Sequence, residues 1–224
     1  LKICYHNNWI EKDLVIFYKG RFNEVNVNFL TDEELSSIRE KEFSGKGLEL
    51  VRDMFVFSCY TGLAYIDIFN LTKDQLSKGI DGNLWIITNR QKTGSTSNIP
   101  LLPVAEEIIK KYENHPVSSN SGKLLPVYTN QKVNEYLKTI AENCGINKKL
   151  TFHCARHTFA TTVTLGNNVS MESVSKMLGH KSIKTTQHYA KILDSKVSQD
   201  MGSLKLVLEK KNEVQKENDK KLGS

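Results

Sequence analysis

The sequence predicts an α+β fold that is mainly α-helical and carries one small antiparallel sheet or hairpin. Two observations lead there. Apolar residues recur at helical spacing along most of the chain, whereas residues 84–88 and 97–101 are β-rich runs flanking a glycine-bearing polar segment. A third observation sets the scale. With 224 residues, 39% hydrophobic and 25% charged, the chain suits one large domain with a real core and is neither a fibre nor a disordered tail.

Taken in order, residues 1–20 end in Val15-Ile16-Phe17-Tyr18 and Gly20 and read as the remnant of an upstream element. Residues 21–30 are the boundary, an extended linker in which Val25, Val27 and Phe29 alternate with Asn. Thr31-Asp32-Glu33-Glu34 ahead of Leu35 and Ile38 is a capped helix start, with acids where the helix dipole favours them. Leu50, Met54 and Phe57 predict a helix over 48–60 that Thr61-Gly62 stops, and a short helix follows over 63–71. Gly94 supplies the permissive backbone between the two strands. Further helices are expected at 103–114, 130–144, 154–166 and 170–178, each delimited by Gly, Asn or Pro. The principal domain thus covers 31–195. In the remainder, 196–224, Val197, Met201, Leu204 and Leu208 form an apolar stripe ahead of a polar tail. That stripe fits either a peripheral helix or a segment that docks on a neighbouring subunit.

The formal charge of +6 points only weakly toward nucleic acid. Purely apolar runs such as residues 54–57 are too short for a transmembrane helix, and the first twenty residues, with Glu11 and Asp13, contain no signal-peptide core. A chain opening on Leu1 fits a piece of something longer. Cys4, Cys59, Cys144 and Cys154 form no C-x-x-C pair, so free thiols in a reducing cytoplasm are expected.

Reactive side chains bunch in the second half: Lys92, His153, Arg156, His157, His180, His188 and Tyr189. His153 and His157 have the i, i+4 spacing of zinc proteases, but Cys154 stands where the catalytic Glu would be and Arg156 would repel a dication. Neither a Walker-type loop nor a G-x-S-x-G elbow is present. What remains is a set of donors around an oxygen nucleophile. His153 and Arg156, three apart, face a common ligand, and an Arg fork beside a His matches phosphate oxygens. Tyr189 is a poor nucleophile at the ordinary phenol pKa of about 10 unless cations and a base surround it.

The runs Thr151-Phe152-His153-Cys154-Ala155-Arg156-His157-Thr158-Phe159-Ala160 and Leu178-Gly179-His180-Lys181-Ser182-Ile183-Lys184-Thr185-Thr186-Gln187-His188-Tyr189 closely resemble the signature of the tyrosine recombinases, the phage-integrase family. Thr61-Gly62-Leu63 resembles the start of that family's first box, and the likeness spans about residues 30–200. The resemblance implies the family's helical catalytic domain and strand exchange in double-stranded DNA through a 3′-phosphotyrosine, without metal or ATP. By that resemblance Tyr189 is the nucleophile, Arg156 clamps the phosphate, His153 donates to it or serves as base, and His180 donates to it. Lys92 protonates the departing 5′ oxygen, with Arg90 as the competing cation of the hairpin tip. The resemblance also implies a homo-tetramer on two paired sites, accessory DNA-bending or directionality proteins, and a cytoplasmic, nucleoid-associated location without a membrane partner.

One family residue is missing: the arginine after T-G-L is replaced by Ala64. Integrases of certain mobile elements resemble this chain in Arg52-Asp53…Thr61-Gly62-Leu63-Ala64-Tyr65, so Arg52 is the expected substitute. Twelve residues of unbroken helix would hold it about 18 Å away, so the chain must reverse at Thr61-Gly62. Asp67 is expected to orient a His or Arg, and His157 and His188 are expected to be structural. Two other readings stay open: a type IB topoisomerase-like nicking-closing enzyme, and an inactive DNA-binding regulator, prompted by Ala64.

Overall fold

A computed structural model describes residues 2–12, 27–190, 201–202 and 204–205. After a short α1 (Lys2–His6), the helices α2 (Asp32–Glu40), α3 (Lys46–Thr61) and α4 (Tyr65–Asn70) lead through a 3-10 turn (Lys73–Gln75) into the sheet. Its strands are β1 (Leu76–Lys78), β2 (Leu84–Asn89) and β3 (Thr96–Pro100). Then come α5 (Pro103–Tyr112), α6 (Pro116–Ser121), α7 (Asn130–Asn143), α8 (Phe152–Thr158), a wide π-helical turn (Phe159–Thr164), a 3-10 turn (Leu165–Asn167), α9 (Met171–Met177) and α10 (Ile183–Ala190). The mainly helical α+β architecture is as the sequence predicts.

Thr31 caps α2 reciprocally with Glu34: the Glu34 N–H donates to Thr31 Oγ1, and the Thr31 N–H donates to the Glu34 carboxylate. The core centres on α3, whose Val51, Met54, Phe55, Val56, Phe57 and Cys59 are all buried. Being apolar on nearly every side, α3 must be covered all round, and α2, α5, α7 and α8 pack against it. Phe55 meets Phe152 of α8 edge to face with centroids 6.2 Å apart. Truncating such a fully buried Phe to Ala costs about 3–5 kcal/mol.

The sheet order is β1-β2-β3, antiparallel throughout, with Ile86 opposite both Leu76 and Ile99. The hairpin was legible, but β1 was not: Leu76-Ser77-Lys78 is too short to show a period. Along β2 and just past it, Ile86, Thr88 and Arg90 are buried while Ile87 and Asn89 are exposed, so the strand alternation carries Arg90 inward. The helix expected over 154–166 is instead α8 followed by the wide turn. Its threonines explain the change: the Thr158, Thr161 and Thr164 hydroxyls each donate back to carbonyls four or five residues earlier, competing with the regular ladder.

Of the expected upstream remnant and linker, residues 13–26 lie outside the described residues, as do Val197 and Leu208 of the C-terminal stripe. Met201 and Leu204 are helical and exposed. Among the described residues no helix is long and apolar enough to cross a membrane.

Candidate active site

The site is assembled where two helices end. α3 closes at Gly62 in the left-handed region (φ +70°), and a Cβ there would lie 2.5 Å from the Phe159 ring. α9 closes at Gly179 (φ +60°), whose N–H donates to the Lys176 carbonyl while the His180 N–H donates to that of Ser175. This pairing leaves the Leu178 carbonyl for other donors. A Cβ on Gly179 would sit 2.6 Å from Ser97 Oγ and 2.7 Å from Arg90 Cδ, so glycine lets the helix end close on the hairpin.

Arg156, only 3% exposed, spans the two ends: Nη1 donates to the Gly62 carbonyl and Nη2 to the Leu178 carbonyl, each at 2.6 Å. Arg90 reaches the same Leu178 carbonyl from the hairpin at 3.1 Å, and its Nε lies 3.5 Å from the Asp67 carboxylate. Asp67 also accepts the Gln91 N–H at 3.1 Å, fixing the start of the hairpin turn. Two guanidiniums therefore converge on one backbone oxygen. Burial and then the neighbouring Arg90 pull the pKa of Arg156 down to about 10, so it keeps its charge at neutral pH.

His180 Nε2 is 3.1 Å from Arg156 Nη2, and its Nδ1 is 2.8 Å from Thr186 Oγ1. Because a guanidinium only donates, Nε2 accepts and the ring proton sits on Nδ1, pointing at Thr186. Burial, with Arg156 and Arg90 beside it, holds the His180 pKa down to about 4. Tyr189 shares the buried face of α10 with Thr186 and stacks on the His180 ring, 6.4 Å between centroids and 9° between planes. Its hydroxyl lies 3.0 Å from His157 Nδ1. Burial raises the Tyr189 pKa, while Arg156 and Arg90 oppose that rise.

His153 is exposed and packs edge-on against His157 with ring centroids 4.3 Å apart. The part of its ring that faces the protein loses hydration, which lowers its pKa, and Arg156, Lys92 and Arg90 lower it further, in that order. Lys92 is an exposed residue of the β2–β3 turn, close enough for its charge to be felt at His153. Arg156, His180, Tyr189 and His153 are thus brought together, with Lys92 at the rim.

Arg52 is not brought there. α3 runs unbroken from Lys46 to Thr61, which leaves Arg52 ten residues before Gly62, about 15 Å along the axis. Its Nη1 donates to the carbonyls of Arg39 and Lys41, both at 2.8 Å, and its Nε pairs with Asp53. It closes the end of α2. The expectation that Arg52 returns to the site is corrected; the second cation there is Arg90, earlier considered only as a rival to Lys92.

His157, expected to be structural, points away from the guanidinium of Arg156 and toward the hydroxyl of Tyr189. His188 lies on the exposed side of α10. Arg90 was legible in the alternation of β2; no local pattern marks His157 or Thr186, whose partners are 32 and 6 residues away. Among the described residues no group of three or more His, Cys, Asp or Glu could hold a metal ion.

The family described as Phage integrase family matches residues 28–196. Tyrosine recombinase XerC of Rickettsia canadensis (strain McKiel) is 29% identical over 170 residues, covering 71% of this chain and 50% of that protein. Among solved structures, XerA recombinase superposes with a TM-score of 0.62 at 20% identity, over 90% of this chain and 71% of the other. A lambda integrase (75–356) dimer bound to a COC′ core site gives 0.63 at 18% identity, over 84% and 68%. These likenesses agree with the fold, and the chain belongs to the phage integrase family. It spans about half the length of the curated relatives it matches.

Proposed function

We propose that this chain is the catalytic domain, residues 31–195, of a site-specific tyrosine recombinase that integrates or excises a mobile element. Its partner is double-stranded DNA, cut and rejoined through a 3′-phosphotyrosine. The observation that carries this reading is the convergence of Arg156 and Arg90 on one carbonyl, with His180 and the Tyr189 phenol beside them. Two buried like charges this close are stabilised by an anion, and a phosphodiester has oxygens for both forks. Three of the five Arg156 N–H groups are held by the protein, leaving two for a phosphate.

Tyr189 Oη attacks phosphorus as the bond to the 5′ oxygen breaks, and that oxygen leaves with its electron pair and takes a proton from Lys92. Arg156 and Arg90 stabilise the charge that builds on the non-bridging oxygens, Arg90 serving where Ala64 has removed the family arginine. The phosphotyrosyl ester conserves the bond energy, so a 5′ hydroxyl from a second strand rejoins the DNA by the reverse steps. Two paired sites call for a homo-tetramer and for accessory DNA-bending proteins. The work is cytoplasmic, on nucleoid DNA.

The test is a nicked suicide substrate bearing the element's end sequences, which traps the covalent adduct. Wild type should accumulate protein–DNA adduct and Tyr189→Phe none. If wild type traps nothing, the chain is an inactive DNA-binding regulator; if it relaxes supercoils without sequence preference, it is topoisomerase-like.

A further inference from the structure

We propose that His157 takes the proton from Tyr189 as the phenol oxygen attacks phosphorus, and returns it when the strand is rejoined. This assignment rests on Tyr189 being the nucleophile. Tyr189 is 6% exposed and its hydroxyl has one hydrogen-bond partner among the described residues, His157 Nδ1 at 3.0 Å. A buried phenol needs an acceptor for its O–H, so Tyr189 donates and the ring proton of His157 sits on Nε2. His153, one helical turn earlier, packs edge-on against the same ring and fixes its plane. Arg156 and His157 are consecutive on α8, so the phosphate clamp and the base are held by one rigid turn.

The electrostatics time the transfer. The groups facing His157 are His153 and Arg156 on its own helix and Tyr189 on α10. Burial, then His153 and Arg156, hold its pKa down to about 4, while burial pushes that of Tyr189 up. In the DNA-free protein both are neutral, and full proton transfer from phenol to imidazole is strongly unfavourable. A phosphate anion against Arg156 and Arg90 cancels the positive field that depresses the imidazole, raising its basicity when the target is in place. The proton then moves as the P–O bond forms, leaving imidazolium opposite a phosphotyrosyl ester.

The experiment measures adduct formation by the full chain on two suicide substrates, one ordinary and one with sulfur replacing the 5′ bridging oxygen. A thiolate leaves without an acid, so the sulfur substrate rescues a missing acid and leaves a missing base exposed. His157→Gln keeps an acceptor for the Tyr189 hydroxyl but is a negligible base, and His157→Phe keeps only the bulk. Both should lose about 100-fold or more on both substrates, with rates that keep climbing with pH as hydroxide substitutes for the base. Lys92→Ala should be slow only on the ordinary substrate. The assignment is overturned if His157→Gln stays within about threefold of wild type, or if sulfur restores it. Absence of adduct in wild type would instead overturn the nucleophile reading, so the two failures are distinguishable.

Discussion

Replacing Arg90 by Gln separates what its charge does for the fold from the phosphate-binding role proposed for it. The guanidinium and the Asp67 carboxylate have side chains only 9% and 2% exposed, with Nε 3.5 Å from Oδ2. At that separation two unit charges attract by about 5 kcal/mol with an effective dielectric near 20, offset in part by their desolvation. Arg90→Gln leaves Asp67 buried and unpaired, and breaking such a pair costs about 3–5 kcal/mol. For a domain of this size, each kcal/mol lowers Tm by about 2–4 °C, so a fall of about 6–20 °C is expected by thermal denaturation. Adding Asp67→Asn removes the orphaned charge but keeps an oxygen for the Gln91 N–H, and should restore most of that loss. Cleavage should not recover: without the second cation the double variant should form adduct about 100–1000-fold more slowly than wild type, measured well below its Tm. A double variant that is stable and cleaves within a few-fold of wild type would refute the assignment of Arg90 to the phosphate.

Arg52→Ala should behave in the opposite way. Freeing the Arg39 and Lys41 carbonyls and one side of Asp53 should cost about 1–3 kcal/mol in urea unfolding, with adduct formation unchanged within a few-fold. Thr186→Val removes the acceptor that fixes the His180 ring proton on Nδ1, and should slow cleavage about tenfold while costing about 1–3 kcal/mol of stability for the N–H left without a partner. His157 and His180 are held at about 4 against an ordinary value of 6.5. Between those values the unfolded chain binds protons that the folded chain refuses, so stability present above pH 6.5 is lost as pH falls toward 4. A Tm series over that range should show the decline, and His180→Gln should flatten it.

Local order was legible where the physics is local. The Thr31 capping box, the glycine stop at Gly62, the hairpin and the starts of α5 and α7 depend on residues a few positions apart, and they form as the sequence predicts. Two glycines were legible as turn signals, but their second duty was not. Gly62 and Gly179 are needed because a Phe159 ring and the Arg90 stem come from remote parts of the chain.

The same division runs through the site. The spacing of His153, Arg156, His180 and Tyr189 marked them as one candidate cluster, and the structure brings these side chains together. The missing arginine could not be traced that way. Helical sequence distance made Arg52 a candidate only if the chain folded back, and its guanidinium instead closes the end of α2. Arg90 instead comes to stand beside Arg156 through strand alternation plus one long-range fact, that the α9 end and the hairpin meet at Leu178. His157 meets the Tyr189 hydroxyl for the same reason: its direction on α8 is local, but what lies in that direction depends on where α10 docks. The sequence by itself determined which chemistry is present and on which elements. Only the tertiary structure decided which cation stands beside Arg156 and which imidazole meets the phenol, because those pairings join groups 22 to 94 residues apart that packing alone brings into contact.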